Sequence, residues 1–153
     1  MFSINSIGKV KSENYNFQLE ICEAFRPGLK ELDKFSHIHV FWWASNHDNE
    51  ADRNITQTEL PYAKNTIGGV FACRSPYRPN PIAVTICKIV NLDIENGILD
   101  IEYIDAFNNT PIIDLKPYIP VSDRVQDVNV AAWFSNFPDW YEEAGEFFKN
   151  YSF

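Results

Sequence analysis

Apolar and polar residues alternate with a period of two along much of the chain. Tyr15, Phe17, Leu19 and Ile21 are interleaved with Asn16, Gln18 and Glu20, which places one set on each face of a half-buried strand. Ser3 to Val10 predicts a strand before it. Arg26-Pro27-Gly28 breaks the run, and Leu29 to Asp33 predicts a single helical turn. Phe35 to Ser45 is apolar on nearly both faces, which predicts a buried central strand. Ile67 to Cys73 and Ile82 to Val90 predict two more, the second rich in β-branched residues. Glu95-Asn96-Gly97 predicts a hairpin through a type I′ turn into Ile98 to Ile104. Asn108-Asn109 then turns the chain into Pro111 to Leu115.

The tail changes period. Trp140, Ala144, Phe147 and Tyr151 fall at helical spacing, with Pro138 suited to the first turn and Glu142, Glu143 and Glu146 near the front. This predicts an amphipathic C-terminal helix packed on the sheet. Many short strands and one late helix predict a mainly β fold. The expected architecture is a single closed or nearly closed β-barrel of mostly antiparallel strands, with short helices and a C-terminal amphipathic helix. The barrel is expected over about residues 1–120 and the helical tail over 121–153 of one 153-residue domain. Between the strands, Asn46 to Tyr62 is polar and predicts a long, functional loop.

Composition adds bounds. With 45% hydrophobic residues, 12 Phe, 7 Tyr and 4 Trp, the chain is an aromatic-rich globular sequence and not a disordered one. Cys22, Cys73 and Cys87 lack CxxC spacing and predict three reduced, mostly buried thiols in a cytoplasmic protein. Met1 to Lys11 is too polar for a signal peptide, and no apolar run approaches the roughly 20 residues of a membrane helix. The formal net charge of −8 counts against strong nucleic-acid binding by the chain alone, while leaving room for a local basic patch. His37 and His39 share a strand face and His47 follows. They predict core and turn histidines, with no metal site. Trp42 and Trp43 face opposite sides of one strand, one toward the core, the other free to stack on a base or pack across a dimer.

The chemistry concentrates between Gly68 and Ala83, Gly-Gly-Val-Phe-Ala-Cys-Arg-Ser-Pro-Tyr-Arg-Pro-Asn-Pro-Ile-Ala. Prolines stiffen the loop. Arg74 and Arg78 offer forks suited to carboxylate or phosphate. The residues alone allow two descriptions, a rigid anion-reading loop or a structural turn with two solvated arginines.

This segment resembles the pattern G-V-F-A-T-R-S-P-x-R-P-N-P-I-G of the TrmO (TsaA-like) family. Ile7-Gly8-Lys9-Val10, Phe35-Ser36-His37-Ile38 and the run from Thr110 through Lys116-Pro117-Tyr118 to Pro120 match further family segments in order. The resemblance implies a dimeric β-barrel methyltransferase that uses S-adenosyl-L-methionine and methylates N6 of threonylcarbamoyladenosine at position 37 of tRNA. It implies cofactor contacts from Asn46, His47, Arg74, Ile86, Asp105, Ala106, Phe107 and Asn108. It leaves Arg78, Asn80 and Lys116 to hold substrate phosphate or carboxylate. The absence of a GxGxxG at a strand–helix junction agrees with a cofactor site unlike the Rossmann one.

Several positions depart from the pattern. Ala83 and Asn109 stand in place of glycines, and Cys73 in place of threonine. Arg26-Pro27-Gly28 is a displaced counterpart of an early R-Q-P-G, and the extra C-terminal domain of longer members has no match. The acceptor nitrogen must lose a proton during transfer, so a base is expected. Asp105, Asp114 and His47 are the candidates. A methyltransferase for a small molecule or protein, and a non-catalytic cofactor-binding barrel, are the other function classes that the sequence admits.

Overall fold

The computed structural model describes residues 3–151. Its strands are β1 (Gly8–Glu13), β2 (Asn16–Ile21), β3 (His37–Trp43), β4 (Gln57–Glu59), β5 (Ile67–Gly69), β6 (Ile82–Asp93), β7 (Ile98–Ile101) and β8 (Pro111–Pro117). Six of them close a barrel in the order β1-β2-β7-β6-β3-β8, and β4 and β5 form a separate ribbon. Every pairing is antiparallel. The period of two decides which side chains go inside. Leu19 and Ile21 of β2, Ile38 and Val40 of β3, Leu99 of β7 and Ile112 of β8 fill the barrel. Burying each such side chain is worth about 1.5–3 kcal/mol. The intervening residues of β3 and β6 (His39, Phe41 and Trp43; Val84 and Ile86) form an outer wall, paired across the two strands.

Antiparallel closure gathers the connections. The end of β3, the start of β6, the end of β7, the start of β8 and the β1–β2 hairpin all lie on one rim. Residues 44–66, 70–81 and 102–110 therefore meet there, although they are far apart in the chain.

The structure revises several local expectations. The first strand is Gly8–Glu13 and not Ser3 to Val10, because its pairing register is set by a two-residue turn at Asn14-Tyr15. Both turn residues have positive φ (51° and 61°), so the type I′ turn sits here. At Glu95-Asn96-Gly97 only Gly97 is left-handed. Gly97 N–H bonds Ile94 O, and the Asp93 carboxylate accepts from Asn96, an arrangement that does not need positive φ at Asn96. The turn expected at Leu29 to Asp33 is two 3-10 segments, Glu23–Leu29 and Leu32–Lys34, separated by left-handed Glu31. The strand expected from Ile67 to Cys73 ends at Gly69, and the polar stretch from Asn46 contains β4 and a short helix, α1 (Glu50–Arg53).

Beyond β8 lie α2 (Pro120–Asp123) and α3 (Ala144–Asn150). The tail helix starts at Ala144, after a 3-10 turn at Tyr141–Glu143, so Pro138 precedes it. No residue of α3 is buried. Its aromatic stripe packs within a ring cluster and not into the barrel core: Phe147 lies 4.7 Å from Phe137, which lies 5.0 Å from Tyr62. Trp140 leaves the stripe to carry the Arg124 guanidinium, 4.9 Å from its ring. Of the cysteines only Cys87 is buried, and burial pushes its thiol up to about 12. Cys22 is exposed. A thiol reagent should therefore label Cys22 in the folded protein and Cys87 only on unfolding, as peptide mapping would show.

Asn109, where the family pattern has glycine, holds φ at 66°. Asparagine tolerates that region better than other residues with a Cβ. Its N–H bonds Val10 O at 2.8 Å or less, here 2.7 Å, tying the turn to β1. Replacing it with glycine should leave stability almost unchanged. A β-branched residue must adopt a disfavoured conformation, so Asn109→Val should cost about 1–2 kcal/mol in urea unfolding. A valine variant as stable as the parent would refute this account of the turn.

Candidate functional site

The proline-rich loop between β5 and β6 is braced from within. Residues 70–81 run without a strand partner, and Pro76, Pro79 and Pro81 cannot donate backbone hydrogen bonds. Three of the loop's carbonyls are taken by one side chain. Arg78 Nε donates to Ser75 O at 2.8 Å, and Nη2 donates to Val70 O at 2.7 Å and to Cys73 O. Ser75 is buried, and its hydroxyl accepts the Tyr77 N–H at 3.3 Å. Arg78, expected to hold substrate, thus has its fork turned onto its own loop. Arg74 has the opposite environment. It is exposed and forms no hydrogen bond or ion pair among the described residues. One arginine shapes the loop and the other is presented by it.

A second loop is lashed to the first. Asp48 accepts from Trp43 Nε1 at 3.0 Å and from Arg53 Nη1 at 2.9 Å. Arg53 Nε donates to Pro79 O at 2.9 Å and Nη2 reaches Asn80 Oδ1 at 3.4 Å, while its guanidinium lies 5.8 Å from the centre of the Trp43 ring. Trp43 is thereby the outward member of its pair. Trp42 packs against the core and donates to Thr85 Oγ1 at 3.1 Å. Trp43, Arg53 and Asn80 also line a cleft of about 440 Å³ with Pro111 and Ile113. Asn46 is exposed beside His47, and His47 meets the Tyr77 ring edge-on at 4.4 Å.

The third segment is 105–108. Asp105 and Phe107 are exposed, Ala106 packs against the core, and Asn108 holds the end of β1 by accepting from Ser12 N–H at 3.2 Å and donating to Glu13 at 3.1 Å. Tyr62 marks how close this segment lies to the proline-rich loop. Burial pushes its phenol up, the Asp105 and Tyr151 charges add to the rise, and the Arg74 charge opposes it. Arg74 and Asp105 thus act on one side chain from two loops.

Three expected site residues lie elsewhere. Ile86 is on the outer wall of β6, opposite His39. Asp114 and Lys116 lie on the outer wall of β8, paired with each other at 2.8 Å with side chains 47% and 62% exposed. Such a pair contributes little to stability. Arg53, Tyr62 and Tyr77 were not singled out from sequence. Tyr77 lies inside the motif and Arg53 four residues after Asn49, yet only the fold shows what they touch.

Comparison with known proteins gives the family. Residues 7–124 match the family model described as tRNA-methyltransferase O N-terminal domain. The chain belongs to that family. It is 42% identical over 118 residues to a probable S-adenosyl-L-methionine-binding protein of Methanocaldococcus jannaschii, covering 76% of this chain and 91% of that one. A protein of the same description from Archaeoglobus fulgidus is 28% identical over 158 residues, covering 94% of this chain and 39% of that one. The human tRNA (adenine(37)-N6)-methyltransferase is 36% identical over 101 residues, or 65% of this chain and 22% of that protein. A crystal structure of TrmO superposes with a TM-score of 0.66 at 24% identity, covering 84% of this chain and 62% of that one. The chain thus spans well under two thirds of the Archaeoglobus relative and slightly under two thirds of the solved TrmO chain.

The division of labour between the arginines is measurable. Arg78→Ala strands the loop carbonyls and should lower unfolding free energy by about 1.5–3 kcal/mol. Arg74→Ala should change it by no more than about 0.5 kcal/mol. Equal losses in the two variants, measured by denaturant titration, would contradict the assignment.

Proposed function

We propose that this protein is an S-adenosyl-L-methionine-dependent methyltransferase acting on N6 of a modified adenosine at tRNA position 37. The observation that carries the proposal is Arg74, an exposed, uncommitted guanidinium on a loop whose shape Arg78 fixes. Family membership and the activities for which the relatives are named support the same reading. The cofactor fits the residues present. Its carboxylate suits the free fork of Arg74. Its ammonium or ribose hydroxyls suit Asp105, a carboxylate with no hydrogen bond or ion pair among the described residues. Asn46, Ala106 and Phe107 lie on the same rim. The cofactor supplies an already activated methyl group, and the task left to the chain is to align an acceptor with it and accept a proton.

The proposal extends to a cytoplasmic homodimer. Phe41, Val84 and Ile86 give the outer wall of β3 and β6 a half-buried apolar face for a second copy to cover. The net charge of −8 favours a second reading, a small-molecule or protein acceptor.

Isothermal titration with S-adenosyl-L-methionine should show binding by the parent and at least about tenfold weaker binding by Arg74→Ala, the loss of a charge-assisted pair. Methyl transfer to tRNA from a strain lacking its own position-37 methyltransferase then separates the acceptors. Equal cofactor affinity in parent and variant would refute the role of Arg74. Cofactor binding without methylation of any tRNA would favour the second reading.

A further inference from the structure

His47 and Asp52 form a dyad on the rim that carries the proline-rich loop. His47 Nδ1 lies 2.9 Å from Asp52 Oδ2. An ionised carboxylate only accepts, so Nδ1 carries the hydrogen of that bond. In the neutral ring Nε2 then keeps a free lone pair. The carboxylate is itself held in place. Asn49 Nδ2 donates to the same Oδ2 at 3.0 Å, and Asn49 Oδ1 accepts the Asp52 N–H at 3.0 Å as the N-cap of α1. The hydrogen bond from Asn49, and then that from His47, hold the Asp52 carboxyl below the usual range, so it stays ionised at neutral pH.

The charges around the dyad are otherwise engaged. Asp48 takes Arg53 and Trp43, and Arg53 also donates to Pro79 O. Asp52 is left to His47. On the other side the imidazole meets the Tyr77 ring at 4.4 Å and 68°, which fixes it against the motif loop. The two dyad side chains remain 23% and 22% exposed, so the ring is restrained but reachable.

We infer that His47 is the catalytic proton acceptor of the methyl transfer and that Asp52 is its positioning residue. The inference rests on the methyltransferase reading. His47 Nε2 takes the proton of the acceptor nitrogen while that nitrogen bonds the methyl carbon. The electron pair of the broken S–C bond stays on sulfur, and the imidazolium returns its proton to water. The other candidates are placed less well. Asp114 is on the outer wall, paired with Lys116 and accepting the Leu115 N–H at 2.9 Å. Asp105 is exposed and has no hydrogen-bonded partner among the described residues to orient it.

The test uses the full chain labelled with ¹⁵N-histidine and needs no cofactor for its first readout. Nitrogen NMR of the parent should show neutral His47 protonated at Nδ1 and bare at Nε2, and Asp52→Ala should move it toward the Nε2–H tautomer. His47→Gln should retain cofactor affinity by calorimetry while its single-turnover methylation of tRNA falls by about 10²–10⁴. An Nε2–H tautomer in the parent overturns the inference. So does a His47→Gln variant with an unchanged rate, and so does one that loses cofactor binding, which would make His47 a cofactor ligand. A parent that binds cofactor but methylates no tRNA refutes the tRNA acceptor alone. The tautomer then still decides the dyad, with a bare Nε2 supporting it and an Nε2–H overturning it.

Discussion

Arg78 folds its guanidinium under the loop between β5 and β6 and takes the carbonyls of Val70, Cys73 and Ser75. The conformation of the whole segment depends on that contact. Three prolines make the loop stiff but also leave it without the backbone pairing that fixes a strand, and a single planar cation with several donors is well suited to replace it. Arg74 is held out toward solvent as a result. Tyr77 is set against His47, and Pro79 and Asn80 are placed for Arg53 to grip. The site is therefore assembled around an arginine that donates to its own loop.

The barrel was legible in the sequence because its signal is local. Alternation in β2 and the long apolar run of β3 give element type, and antiparallel closure follows from short turns. Turn chemistry was less legible. Asn96-Gly97 has the residues of a type I′ turn, yet the turn of that type forms at Asn14-Tyr15, where the register of β1 on β2 demands it. The tail stripe was visible as a helical period, but a period does not say what the face packs against. Here the rings pack on one another and on Tyr62.

The site was legible where it lies in one segment and illegible where it depends on contact across segments. The motif around Arg74 and Arg78 stands out by composition, but which arginine is free depends on carbonyl positions that sequence does not show. Asp114 was a candidate base and Lys116 a candidate for holding substrate, and the two share one side of β8. That side is the wall of the barrel and not its rim, a fact of the register that sets them opposite Phe41 and His39. Asp52 carried no signal of its own. Its importance comes from a helical turn that brings it back to His47, five residues earlier.

Closure of the barrel through β1 and β8 has a further consequence, for behaviour at high concentration. A sheet with two ends offers rows of unpaired backbone groups on which another chain can add a strand. Strand β3 is paired on both sides, by β6 and by β8, so its long apolar run is never displayed as a template. The β4–β5 ribbon does have open edges, each strand only three residues long and one of them carrying exposed Ile67. A strand can add to that ribbon, and its shortness limits how far such a pairing can grow.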